Sequence, residues 1–202
     1  MQNYEKWSKY GKLLPGLIHN LNSPLMGISG RIELLQMQIG ENKSITQVNT
    51  QLEKINQMLT AAAYLLDKDQ HNKETDIELN ILLTNYFTFL IADSRFKHQV
   101  ENTQNYEQIT VNINASQLIH CLHTTASYLL DFINGETHID INCSLQSEKP
   151  TIEITMTTEN EINSEFDLTK EYSENIDPTL TTHYQITHTK DTHKVYVKII
   201  VM

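Results

Sequence analysis

Two apolar stripes in immediate succession constrain this chain more than any other feature. Leu14, Leu17, Leu21, Leu25, Ile28, Ile32, Leu35 and Ile39 step by three or four residues. After a short break at Gly40 the pattern resumes with Ile45, Val48, Leu52, Ile55, Leu59, Ala62 and Leu66. That period draws one continuous face on a helix and none on a strand. The spacing predicts a first helix from about Trp7 to Ile39, ended by Gly40. A second begins at Ser44, whose hydroxyl and Gln47 have capping-box spacing. Two long helices with so short a joint predict an antiparallel hairpin. A hairpin that presents a full stripe on each helix cannot cover its apolar surface alone, so a dimeric four-helix bundle is the expected solution. Residues 1–70 are thus read as a helical domain and the protein as a homodimer.

Beyond it the pattern changes. "KDQHNKET", Lys68 to Thr75, is polar and aperiodic and reads as a linker. Helices are expected from Leu79 to about Arg95 and from Ser116 to Ile133, the latter capped by Asn114 or Ser116. Period-two alternation and β-branched residues predict strands at 108–113, 137–145, 151–157 and 194–201. Residues 158–178 are acidic and weakly patterned, a loop with room for one short helix. Residues 76–202 are therefore expected to form a two-layer α/β sandwich, which makes the chain α+β.

Charge narrows the partners. With 15 Lys and Arg against 25 Asp and Glu, the formal charge is −10, and no basic surplus exists to neutralise the phosphates of nucleic acid or an anionic membrane. No run approaches the roughly 18 apolar residues of a membrane span. The opening MQNYEKWSKYGK lacks the apolar core of a signal peptide, so a cytoplasmic location is expected. Cys121 and Cys143 are too few for a disulfide framework and read as reduced, buried thiols. "HCLH" (His120 to His123) supplies too few ligands on one helix face for a metal site, and no metal is expected.

His19 stands out beside the first stripe. At about 100° per residue it lies well away from Leu14, Leu17 and Leu21, so it points to solvent from a rigid element. Pro24 has no N–H for the carbonyl of Asn20 and is expected to kink or loosen the helix just after the histidine. Asn22, Ser23, Met26, Gly27 and Gly30 share or flank its face. Two glycines inside a helix cost about 1 kcal/mol each relative to alanine, which suggests that something must approach closely. With Pro24 and Arg31 these residues form the expected partner-binding surface; the plain alternative is a surface histidine beside a harmless kink.

"HNLNSPL", His19 to Leu25, resembles the H box of bacterial sensor histidine kinases. That family's dimerisation and phosphotransfer domain is a helical hairpin in a four-helix bundle. The resemblance implies that His19 is the phosphoacceptor. Asn20 stands where the family carries Glu or Asp, and an amide cannot serve as the base. "DIELNILLTNYFTFL" and "NASQLIHCLHTTASYLLDFI" resemble, in order of elements, the opening and the N-box helix of the family's ATP-binding domain. Tyr128 lies near the place of the metal-binding asparagine. After "TIEITMT" the expected Asp-x-Gly-x-Gly box is replaced by "TENEI", and residues 136–202 contain no glycine, which argues against nucleotide binding.

A kinase shell without its ATP site resembles the histidine phosphotransferases of bacterial phosphorelays, among them the sporulation initiation phosphotransferases. The resemblance implies transfer of a phosphoryl group between receiver-domain aspartates of response regulators by way of His19, with Ser23 as a residue that positions water. It implies no cofactor of the chain's own, because the receiver brings its Mg²⁺. The alternative is a non-catalytic kinase-like dimer that binds and regulates a response regulator or a histidine kinase.

Overall fold

The computed structural model describes residues 14–40, 42–70, 73–133, 135–159, 184–191 and 193–202. The contacts divide the chain after Asp67 into two compact units.

The first unit is built on two helices, α1 (Leu14–Ile39) and α2 (Lys43–Gln70), joined by three residues. Helix α1 runs through Pro24 without interruption; the expected start at Trp7 lies outside the described residues. Gly40 closes α1 as expected, with φ +75° and its N–H on the Gln36 carbonyl at 2.9 Å, the left-handed conformation glycine adopts at no steric cost. The cap of α2 is Asn42 and not Ser44: the Asn42 side chain accepts the N–H of Ser44 at 2.9 Å and of Ile45 at 3.4 Å. Asn is as good an N-cap as Ser and sits one residue ahead of the first helical position. Gln36 and Asn49 bridge the two helices at 3.4 Å.

The apolar residues of α1 divide in two. Ile18 and Ile32 are buried, whereas Leu17, Leu21, Ile28, Leu35 and Ile39 are exposed. Helix α2 likewise buries Leu52 and leaves Val48 and Ile55 exposed. Each helix therefore carries more apolar surface than this unit covers.

The expected linker is shorter than the polar composition suggests. Helix α2 continues to Gln70, and strand β1 (Glu74–Glu78) opens the second unit, paired antiparallel with β3 (Thr110–Asn114) from Glu74 opposite Asn114 to Glu78 opposite Thr110. The helix expected over 79–95 is two helices, α3 (Leu79–Leu90) and α4 (Ser94–Gln99). Asp93 caps α4 by accepting the Arg95 N–H and stops the run. Helix α5 (Ala115–Leu130) is capped by Asn114, whose side chain accepts the Gln117 N–H at 3.4 Å.

The main sheet has five strands in the order β2-β4-β5-β7-β6: β2 (Val100–Tyr106), β4 (Thr137–Gln146), β5 (Lys149–Thr158), β6 (Tyr184–Lys190) and β7 (Lys194–Val201). Strand β2 runs parallel to β4, and the other neighbours are antiparallel. Strands β4, β5 and β7 match the expected segments, and both β2 and β6 are additional. Strict alternation sends Ile139, Ile141, Ile152, Ile154, Met156, Val195, Val197 and Ile199 to one face, all buried. The helices cover that face: Phe87, Phe96, Leu122, Leu129, Ile139 and Ile154 converge on one small void between the layers. The other face is polar, with Tyr196 donating to the Glu153 carboxylate and Lys198 donating to Gln146 Oε1 at 2.6 Å. The second unit is therefore the two-layer α/β arrangement read from the sequence.

Candidate functional site

Helix α1 fixes the geometry around His19. With Ile18 buried at 5% exposure and about 100° of rotation per residue, the next residue leaves the interior, and His19 is exposed. Its imidazole makes no hydrogen bond or ion pair among the described residues. The ring thus stands exposed on a hydrogen-bonded helix, with no hydrogen bond among the described residues to be broken before another molecule reaches it.

Only part of the expected surface lies with it. Ser23, Met26 and Gly30 fall within about 40° of His19 around the helix axis, and Asn22 and Gly27 within about 80°. Asn20, Pro24 and Arg31 are turned away by about 100° to 140°. All of these side chains are exposed, Met26 to 73%; Gly27 is exposed and Gly30 half-buried. A Cβ built on Gly27 or Gly30 meets nothing within 4 Å, so no contact within the described residues demands a glycine at either place. The face presents a histidine, a protruding thioether and a bare stretch of backbone.

The second unit is chemically quieter. Tyr128 on α5 is 3% exposed and packs edge-on against Phe132 with ring centroids 4.8 Å apart, so its place is filled by an aromatic core residue. Cys121 and Cys143 are buried and not in a disulfide, and burial pushes the Cys143 thiol up to about 11, far from the thiolate that nucleophilic chemistry requires. Burial, then the neighbouring His120, holds the His123 imidazole below its ordinary range. No group of three His, Cys, Asp or Glu residues suited to a metal ion occurs among the described residues. "TENEI" and the segment after it lie outside the described residues beyond Glu159.

One constellation was invisible in the sequence. Parallel register sets Glu101 opposite His138, with His138 Nδ1 3.9 Å from Glu101 and Nε2 3.0 Å from Asp140. Glu101 and His138 border an open groove of about 560 Å³ where β2 and β4 begin and β5 ends. Partners 37 residues apart in the chain meet only through sheet register, and no local pattern announces it.

No protein-family model and no curated protein matches the chain. Solved structures do. The histidine kinase domain of the blue-light activated histidine kinase from Erythrobacter litoralis EL346 aligns with a TM-score of 0.56 and 12% identity over 87% of this chain and 95% of its own. A nucleotide-free catalytic domain of histidine kinase ThkA aligns with a TM-score of 0.52 and 14% identity, covering 64% of this chain and 96% of its own. The likeness is one of fold: this chain is histidine kinase-like in architecture, and no helix among the described residues is long and apolar enough to cross a membrane.

Proposed function

We propose that this protein is a histidine phosphotransferase of a bacterial two-component phosphorelay, with His19 as the residue that carries the phosphoryl group between receiver aspartates. The observation that carries the reading is the exposed, unpaired imidazole on an uninterrupted helix, in a chain of histidine kinase-like fold that has no glycine after Gly135. Glycine-rich loops let a nucleotide reach the backbone, and without them phosphate has to come from another protein.

In the proposed reaction, the unprotonated ring nitrogen of His19 attacks the phosphorus of a receiver's aspartyl phosphate in line. The N–P bond forms as the P–O bond to aspartate breaks, and the aspartate leaves as a carboxylate. The reverse step, with a second receiver, returns the imidazole. An acyl phosphate is a reactive donor, so Asn20 in place of an acidic base does not prevent the transfer, although it disfavours attack on ATP. Mg²⁺ belongs to the receiver in this scheme, and the chain needs no cofactor. Ser23, about 40° from His19 around the helix, is within reach of a water near the phosphorylated ring. Met26, Gly27 and Gly30 offer the partner a surface on which a helix can lie closely.

The exposed rows Leu17, Leu21, Ile28, Leu35 and Ile39 of α1, with Val48 and Ile55 of α2, support pairing of an α1–α2 hairpin with a second copy in a four-helix bundle. A cytoplasmic location suits such a relay.

The decisive test offers the purified protein a panel of receiver domains charged with a radiolabelled small phosphoryl donor, with labelled Mg·ATP in a parallel reaction. Acid-labile label arriving from a receiver, and lost in His19→Gln, is the expected result. Label from ATP alone overturns the reading. An unlabelled protein whose effect on a receiver or kinase survives His19→Gln is instead a regulatory binding module.

A further inference from the structure

Helix α1 holds two methionines, Met26 and Met37, and both stand on the His19 side. Met26 lies about 20° from His19 around the helix axis and Met37 in line with it, about 10 Å and about 27 Å farther along. They are the most exposed large apolar side chains among the described residues, at 73% and 83%. Leu34, about 60° round from His19, joins them. The exposed row that includes Leu21, Ile28 and Leu35 is built differently: it contains only leucine and isoleucine, and it lies about 160° to 180° away from His19.

Two consequences follow from that placement. A second copy seated on the leucine and isoleucine row leaves both thioethers open to solvent, because they project from the opposite side of the helix. A thioether also differs in kind from the branched hydrocarbons across the helix: it is unbranched and adapts to the shape of whatever packs on it, and it can be oxidised where leucine and isoleucine cannot. Access separates these two from other methionines of the chain, since Met58 is half-buried and Met156, in β5, is 0% exposed. Met202 is exposed but belongs to the second unit.

We propose that Met26 and Met37 form a peroxide-sensitive modification site that controls docking at the His19 face, an inference that rests on the phosphotransfer reading above. In the step, the thioether sulfur attacks the hydroxyl oxygen of a hydroperoxide. The S–O bond forms as the O–O bond breaks, the attacked oxygen gives up its proton, and the other oxygen takes it and leaves as water or an alcohol. Sulfur is oxidised to the sulfoxide and the peroxide is reduced. The product sets a polar acceptor oxygen where a hydrocarbon-like side chain stood, and a partner that packs on Met26 then has to bury it without a donor. Methionine sulfoxide reductases return the thioether, so the change is reversible.

The test treats the full chain with hydrogen peroxide in steps and maps the product by peptide mass. Met26 and Met37 should each gain one oxygen well before Met58 and Met156. Phosphoryl exchange with a charged receiver should then slow by about tenfold and recover after treatment with the reductases. Met26→Leu with Met37→Leu sets its own starting rate, and peroxide should leave that rate where it is although Met202 still oxidises. Oxidation at equal rates in all four methionines, exchange that survives sulfoxide at both positions, or a double variant as sensitive as the parent would each overturn the proposal. Calorimetry of receiver binding by His19→Gln, before and after peroxide, separates this inference from phosphotransfer, because docking requires no phosphate on the ring. A protein that binds a receiver, loses that binding on oxidation and never accepts phosphate supports the modification site and removes the phosphotransfer reading. One that binds no receiver overturns both.

Discussion

At the turn between α3 and α4, Asp93 accepts the Arg95 backbone N–H at 2.8 Å and holds its guanidinium at 3.1 Å, while Arg95 reaches on to Asp131 and the Leu130 carbonyl at the end of α5. The Arg95 side chain, through its hydrogen bond and charge, keeps the Asp93 carboxyl below the usual carboxylate range. Such a group contributes its stability fully above its unfolded value, and the contribution is lost as the pH falls through the lower folded one. Asp93→Ala should therefore cost about 1 kcal/mol in urea unfolding at pH 7. Asp93→Asn keeps the cap but removes the charge, and should flatten the acid limb of the stability profile while costing less at neutral pH. The residue scale is also where the sequence reads most clearly at the candidate site. His19 is legible as exposed because the helical period fixes its direction once the apolar positions are known. Asn20, Pro24 and Arg31 illustrate the reverse: closeness in sequence does not bring them to its face, because neighbours on a helix are three and four residues apart.

Among the elements, α1 carries the clearest experiment. An alanine Cβ at Gly27 or Gly30 meets nothing within 4 Å, and each replacement should stabilise the helix by about 0.5 to 1 kcal/mol. If this face docks a partner, Gly27→Ala with Gly30→Ala raises the thermal midpoint and slows phosphoryl exchange together, a split that calorimetry and transfer kinetics measure side by side. The strands show why legibility differs. "KVYVKIIV" is readable because β7 lies inside the sheet and must alternate. "VENTQNY" is not, because β2 is an edge strand with a mostly exposed face, and its Asn and Glu residues are poor strand formers by composition. It is a strand through pairing with β4, a tertiary fact. The break at Asp93 was hidden for a related reason: apolar residues continue across it, and only the cap discloses two helices.

On the scale of the whole molecule, the two units differ in how much apolar surface they leave uncovered. The first exposes Leu17 to 53% and Ile28 and Leu35 to about 45%, a row that water does not favour leaving bare. A second copy that covers it should give a solution mass of twice the 23.3 kDa chain in light scattering. Ile28→Glu with Leu35→Glu should return the mass to that of one chain without loss of the second unit's β signal. A monomeric parent protein would remove the bundle from the proposed function. The stripes made helix and hairpin readable from sequence, but their division into a covered and an uncovered row was not, since a single helical period cannot say which neighbour each side chain meets.

The parallel pairing of β2 with β4 also sets an order of events in time. Between Tyr106 and Thr137 the chain must lay down β3 and the whole of α5 before Val100 can find Thr137 and Tyr106 can find Cys143. The antiparallel β4 and β5 need only the two-residue turn at Ser147 and Glu148. Closing the longer loop costs more chain entropy, and the edge strand gains contact on one side only. Strand β2 should therefore be the last part of the sheet to assemble and the first to open. Amide protons of β2 are expected to exchange with deuterated water well before those of β5, which would make the rim of the groove the part of this unit that breathes.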